Sequence, residues 1–244
     1  MELREFRTEL PSTQIEGIRR AREGAPEGAR IVAARQSAGR GRGDHAWASP
    51  AGNLYLSLIV RAPSEHRSLL PLAVGARLRA ALAGRYGAVC VLKWPNDLLV
   101  LGRGSPRKLS GILVDIVPSP TLDVAAVIGI GVNVSAPPEA YSRDLRARVV
   151  SLAEITGTAP DLGDVERVTV AAAESAVAAI GSVRGVNEIL AECRAALHGV
   201  GRRATVDSTL AGTIRTVGED GELWLDTPSG AVSIRSGDLV VEDA

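Results

Sequence analysis

The sequence predicts an α+β fold: a sheet flanked by helices, then a small all-β barrel. Three observations carry this. Apolar runs at 53–61, 89–93, 97–101, 108–117 and 124–134 are short and apolar on both faces, as strands of a covered sheet are. Helical spacing over 64–84 and alanine-rich stretches at 164–180 and 185–197 supply the cover. After Gly199 the texture changes to short alternating segments at 203–206, 210–217, 222–227, 232–234 and 239–242. Gly-Glu-Asp-Gly, Pro-Ser-Gly and Ser-Gly-Asp turns separate them, which is the pattern of a small barrel.

The elements follow in order. Ser12-Thr13-Gln14-Ile15-Glu16 reads as a capping box with Thr13 at N-cap and Glu16 at N3. The helix it opens runs to about 23 and stops at Gly24 and Pro26. A short strand is expected at 29–35 and a second at 53–61, so the segment between them is anchored at both ends. The 64–84 helix accepts Pro71 near its start. Residues 135–149, with Pro137 and Pro138, read as a surface loop long enough to act as a lid. These expectations divide the chain into a larger unit at 1–197 and a barrel at 198–244.

Composition narrows the function. Of 244 residues 45% are apolar, enough for a sizeable core, and only 3% are aromatic, which disfavours a platform that stacks bases on several rings. Lys plus Arg and Asp plus Glu balance at 28 each, so no long-range field favours DNA or acidic membranes. Cys90 and Cys193 have neither CxxC nor Cys/His spacing and are expected to be reduced core thiols. The charged N-terminus lacks an apolar signal region, and no run reaches the roughly 18 apolar residues of a membrane span; a cytoplasmic protein is expected.

The stretch 36–55 concentrates chemistry. Gly39, Gly41 and Gly43 alternate with Arg40 and Arg42, and Trp47 follows. Glycines let backbone N–H groups approach an anion, and the arginines bring forked, permanently charged donors. Standing alone, this reads more readily as a mobile basic loop than as an anion clamp. Four further clusters give it context: Ser12-Thr13, Lys93-Trp94-Pro95-Asn96-Asp97, Lys108-Leu109-Ser110-Gly111-Ile112-Leu113 and Gly129-Ile130-Gly131-Val132-Asn133.

In order and spacing, these five elements resemble the biotin protein ligase family, the biotin–[acetyl-CoA carboxylase] ligases, from about residue 10 to the C-terminus. The resemblance implies a class II aminoacyl-tRNA-synthetase-like catalytic domain, a mixed sheet flanked by helices, with an SH3-like C-terminal barrel. It also implies a reaction in two steps. ATP and biotin give biotinyl-5′-AMP and pyrophosphate, and a lysine of the biotin carboxyl carrier protein or domain then displaces AMP. Biotin and ATP with Mg²⁺ are the expected small molecules, with no tightly bound prosthetic group. A carboxylate must approach a phosphate, so cations must offset their repulsion.

The resemblance carries over residue by residue. Lys108, in the family's Lys-x-x-Gly-Ile-Leu pattern, is expected to reach the biotin carboxylate and the adenylate phosphate, with Arg40 and Arg42 as further catalytic cations. Ser12, Thr13, Gln36, Gly39, Arg40, Gly111 and Trp47 are expected around biotin. Trp47 is either an apolar wall over the biotin chain or a ring closing the core beneath the loop. Lys93, Asn96, Asp97 and Asn133, with both arginines, are expected around the nucleotide. Asp97 has two open roles: an oxygen ligand for Mg²⁺, or a group that orients or deprotonates the attacking lysine. The 36–46 loop and the 135–149 segment are expected to order over the labile adenylate.

One departure stands out. The family's commoner loop reads Gly-Arg-Gly-Arg-x-Gly-Arg-x-Trp, whereas this chain has Asp44 and His45 at the second Gly-Arg. One nucleotide contact is thereby put in doubt. About ten residues precede Ser12, too few for the winged helix of repressor-type members, so no DNA binding is expected. A lipoate or octanoyl ligase shares the chemistry but is not expected to combine Gly-Arg-Gly-Arg with Lys-Trp-Pro-Asn-Asp. An RNA-binding module would leave Lys108 and Asp97 without a role, and no G-x-x-x-x-G-K-[ST] is present for a Walker-type NTPase. Both a monomer and a sheet-edge homodimer fit the sequence.

Overall fold

In the first sheet, of seven strands, the central strands are apolar and find cover on both faces. The structure is a computed structural model, and residues 3–102 and 104–242 are described; the ends of the two expected units, 1–2 and 243–244, lie outside them. The elements are β1 (Arg4–Leu10), α1 (Thr13–Arg22), β2 (Arg30–Gln36), β3 (Leu54–Arg61), α2 (Leu70–Tyr86), β4 (Val91–Lys93), β5 (Asp97–Val100), β6 (Arg107–Ser119) and β7 (Asp123–Val132). Helices α3 (Arg143–Arg146), α4 (Leu152–Thr156), α5 (Leu162–Ala179) and α6 (Val183–Ala196) follow. Strands β8 (Arg203–Val206), β9 (Leu210–Val217), β10 (Leu223–Thr227), β11 (Gly230–Ile234) and β12 (Leu239–Val241) complete the chain.

The first sheet runs in the order β1-β2-β3-β7-β6-β5-β4. Only the β1–β2 pair is parallel, so the sheet is mixed, as expected. Helix α1 covers one face, where Gly17 lets it settle on Val127: a Cβ there would stand 2.8 Å from Val127 Cγ1. Ala21, Ile31, Ile59, Val117 and Val127 fill that small core. Helices α2, α5 and α6 cover the other face and enclose the main core.

Two local features are set by tertiary contacts. Strand β1 carries Arg4, Glu5, Arg7 and Glu9 with no apolar alternation to announce it; it is an edge strand whose charges sit in ion pairs, such as Arg20–Glu5 at 2.7 Å and Arg4–Glu166 at 2.8 Å. The capping box is not formed. Ser12, not Thr13, is the N-cap and makes no side-chain cap bond, while Glu16 turns to Arg19 and Arg20. Gln36 supplies the cap instead, its Oε1 accepting from Thr13 N at 2.7 Å. Within the expected 135–149 loop, α3 forms a short helix.

The last five strands make an antiparallel sheet in the order β11-β10-β9-β8-β12, compatible with an SH3-like unit. Its buried residues Ala204, Ile214, Val217, Leu223 and Leu225 belong to the main core, so apolar packing continues across residue 197. Trp94 rivets the two sheets: the ring is fully buried and Nε1 donates to Gly221 O at 2.9 Å. Arg194 Nε, on α6, adds a bond to Val217 O at 2.8 Å. Cys90 and Cys193 are buried and free, with burial raising their pKa values to about 11 and about 12.

Candidate active site

A cleft of about 480 Å³ opens over the middle of the first sheet and reaches the second. Its floor is set by the pairing of Gly111 on β6 with Gly131 on β7. A Cβ on Gly111 would stand 2.8 Å from Trp47 Cζ3, and one on Gly131 would meet the indole at 2.7 Å. Trp47 therefore lies against bare backbone, lining the cleft, and only glycine at both positions admits it.

Lys108 opens toward the same floor. Its Nζ stands 2.6 Å from Asp97 Oδ1 and 4.8 Å from the centre of the Trp47 ring. Sheet pairing fixes this geometry, because β5 carries Asp97 opposite Gly111 and β6 carries Lys108 three residues earlier. The Lys108 backbone is held on both sides: its N–H donates to Arg148 O at 2.7 Å, and its carbonyl accepts from Val150 N at 3.1 Å. Asn133 Nδ2 adds a bond to that carbonyl at 3.0 Å.

Arg40, Arg42 and Lys93 share the cleft with Lys108. Burial holds the Lys93 ammonium below the usual lysine range, Asp97 opposes that fall and neighbouring Lys108 adds to it. Arg42 is partly neutralised, donating to Gly237 O and to Asp238 Oδ1 at 3.0 Å. His45 Nε2 lies 2.7 Å from the other oxygen of Asp238. The hydrogen bond to His45 lowers the pKa of Asp238 most. His45 thus ties the loop to the second sheet.

Where α1 and β2 border the cleft, buried hydroxyls and amides gather. Ser12 is 2% exposed and its Oγ has no hydrogen-bond partner among the described residues. Thr13 Oγ1 lies 3.2 Å from Gln36 Oε1, whose Nε2 donates to Ser49 Oγ at 2.8 Å. Ser49 in turn donates to Trp47 O at 2.9 Å. A buried polar atom without a partner costs about 1–3 kcal/mol, so the open valence of Ser12 marks a place where a ligand group gains most.

Of the residues singled out from the sequence, Ser12, Thr13, Gln36, Arg40, Arg42, Trp47, Lys93, Asn96, Asp97, Lys108 and Gly111 line this cleft. Two do not. Gly39 lies behind the loop, where a Cβ would stand 2.3 Å from Trp47 O. Asn133 is 2% exposed and spends its side chain on Lys108 O, Asn53 and Tyr141. Asn96 lines the wall, with Nδ2 donating to Ile112 O at 2.7 Å. The sequence reading missed Gln14, Arg148 and Asp238, all of which line the cleft. Gln14 adjoins the Ser12-Thr13 cluster and could have been found there; Asp238 sits in a turn 141 positions from Asp97, and no local signal announces it.

Among the described residues no group of three or more His, Cys, Asp or Glu gathers, and the Asp97 carboxylate is engaged by Lys108.

The chain is similar to known proteins in both sequence and fold. The family model described as the biotin/lipoate A/B protein ligase family matches residues 9–133. The biotin–[acetyl-CoA-carboxylase] ligase of Mycobacterium tuberculosis is 32% identical over 94% of this chain and 85% of its own length. The bifunctional ligase/repressor of Bacillus subtilis is 30% identical over 94% of this chain and 71% of its own. The biotin protein ligase of Aquifex aeolicus, solved with biotin and ATP, superposes with a TM-score of 0.84 over the full length of both chains at 25% identity. The chain belongs to the biotin/lipoate A/B protein ligase family, and within it to the biotin protein ligases.

Proposed function

We propose that this ligase forms biotinyl-5′-AMP from biotin and ATP and then passes the biotinyl group to one lysine of a biotin carboxyl carrier protein or domain. The observation that carries the reading is the convergence of Arg40, Arg42, Lys93 and Lys108 on one cleft floored by glycine. Bringing a carboxylate within about 4 Å of a phosphate costs roughly 4 kcal/mol per charge pair near a protein surface. Four cations on the approach path offset that cost and stabilise the charge that develops at the phosphorus.

In the first step a biotin carboxylate oxygen attacks the α-phosphorus of ATP, the bond to the bridging oxygen breaks and pyrophosphate leaves. Lys108 touches both reacting anions, Arg40 and Arg42 hold the phosphates, and Lys93 closes the nucleotide side. Ser12, Thr13 and Gln36 serve the ring of biotin, while Trp47 with Gly111 walls its aliphatic chain. Mg²⁺ would enter with the nucleotide phosphates as part of the substrate. In the second step the neutral amine of the carrier lysine attacks the carbonyl carbon, the bond to phosphate oxygen breaks and AMP leaves with it. Asp97 orients that amine and takes its proton, with Lys108 beside it to hold the carboxylate.

The catalytic unit would be 1–197, with 198–244 contributing Asp238 to the cleft rim. Action in the cytoplasm, as a monomer or homodimer and without DNA, completes the proposal; two free buried thiols suit a reducing compartment. Among the described residues no helix is long and apolar enough to cross a membrane. The test is biotin-dependent exchange of pyrophosphate into ATP. Wild-type protein is expected to exchange, and Lys108→Ala to lose at least about a hundredfold; undiminished exchange in that variant overturns the assignment.

A further inference from the structure

A run of hydrogen bonds leaves the cleft and ends on a carboxylate that no part of the reaction uses. Gln14, on the first turn of α1, lines the cleft and is 3% exposed. Its Nε2 has two hydrogens, and both are spent: Asp115 Oδ2 lies at 2.8 Å and Val127 O at 2.9 Å. The carbonyl end of the amide therefore faces the opposite way, where Ser57 Oγ donates to Oε1 at 3.0 Å. Ser57 is fully buried and has one proton, so Thr13 Oγ1, 3.0 Å from it, keeps its acceptor capacity. Gly129 makes this packing possible, because a Cβ there would stand 2.4 Å from Gln14 Oε1.

We propose that Asp115, which does not line the cleft, is a positioning residue for the bound head group. By occupying one amide hydrogen of Gln14, with Val127 O on the other, it commits that side chain, and Thr13 beside it, to present acceptors. A cyclic urea such as the head of biotin offers N–H donors that match these acceptors. An amide turned the other way would set N–H against N–H, and Ser57 would then turn its one proton to Thr13 Oγ1 and take that acceptor from the ligand. The role of Asp115 is to accept, not to carry charge, so a neutral acceptor of the same shape should replace it. This inference deepens the reading of the cleft as a biotin site and rests on it.

The test is calorimetric titration of each protein with biotin alone, a readout that needs no turnover. Asp115→Ala is expected to weaken biotin binding about tenfold, the worth of one mis-set hydrogen bond, with the KM for ATP unchanged. Asp115→Asn, which keeps an acceptor oxygen, is expected to bind within about twofold of wild type. In a Gln14→Ala background, Asp115→Ala should add no further loss, because the two act through one contact. Additive losses, or equal weakening in the Ala and Asn variants, overturn the proposal. If wild type binds biotin without pyrophosphate exchange, the reaction assigned above fails while this inference stands. If wild type does not bind biotin, both fall.

Discussion

Lys108 Nζ and Asp97 Oδ1 are 2.6 Å apart, on neighbouring antiparallel strands, with the lysine 30% and the carboxylate 16% exposed. A pair this close and half-buried is held by its frame, since β6 and β5 fix both Cα positions. In the proposed reaction each member has a separate duty: the lysine meets the anions of adenylate formation, and the carboxylate meets the amine of transfer. Asp97→Asn keeps the shape and removes the base. Transfer to the carrier is expected to fall at least about a hundredfold, while pyrophosphate exchange falls less than about tenfold. Rapid-quench measurement of the two half-reactions separates them; equal losses would move Asp97 into adenylate formation.

Gly131→Ala should injure the biotin side selectively. The added methyl would lie 2.7–2.8 Å from three atoms of the Trp47 indole, so the ring must lift off the floor. A stability loss of about 1–3 kcal/mol is expected, with the KM for biotin rising roughly tenfold and the KM for ATP little changed. Gly84→Ala is the control, because nothing lies within 4 Å of a Cβ at that exposed position of α2. There the substitution should stabilise the protein by about 0.5–1 kcal/mol, the ordinary gain for a helix interior. Thermal unfolding and steady-state kinetics of the two variants decide the point.

Much of this site was legible because its chemistry sits in short, local clusters. Gly39 to Arg42, Lys93 to Asp97 and Lys108 to Gly111 each announce themselves by residue type within a few positions. The strands at 203–206 and 210–217 were equally plain, since turns bracket an alternating pattern. What escaped depends on tertiary packing. Strand β1 has polar residues on both faces and is held by pairing to β2 and by ion pairs, none of which periodicity reports. The cap of α1 comes from Gln36, a residue 23 positions from the amide it serves. Asp238 reaches the cleft only because Trp94 and α6 fasten the second sheet to the first.

The loop and the second sheet should separate in acid. His45 and Arg42 both bind Asp238, whose pKa the His45 hydrogen bond lowers first and Arg42 lowers further. A carboxylate with a lowered folded pKa contributes its full share above the unfolded value, about 3.9, and loses it as pH falls through the folded value. Docking of the loop is therefore expected to be intact at pH 5–8 and to weaken below about pH 4. Asp238→Asn should reproduce the acid state at neutral pH. Amide hydrogen exchange at 41–45 is the measurement, and protection that is equal in wild type and variant would show that the ion pairs do not hold the loop. His45→Ala, which leaves the Arg42 contact, should change the KM for ATP less than about threefold.

Lys93 sets function against stability. Its ammonium is half-buried at the end of β4, and that desolvation lowers its pKa below the ordinary lysine value. The sign follows from linkage. At pH above the unfolded pKa, near 10.4, both states are neutral and the group costs nothing; as pH falls, the unfolded chain takes up the proton more readily, and the fold bears the penalty at pH 7. Replacing the charge by an apolar chain of similar length removes that penalty. Lys93→Met is expected to raise thermal stability by about 1 kcal/mol at pH 7, or a few degrees in Tm, with the gain vanishing toward pH 11. The same change takes one cation from the nucleotide side of the cleft, so the KM for ATP should rise roughly tenfold. A variant that was less stable at pH 7 and equally active would show that Lys93 is held by the fold for packing and not for the phosphates.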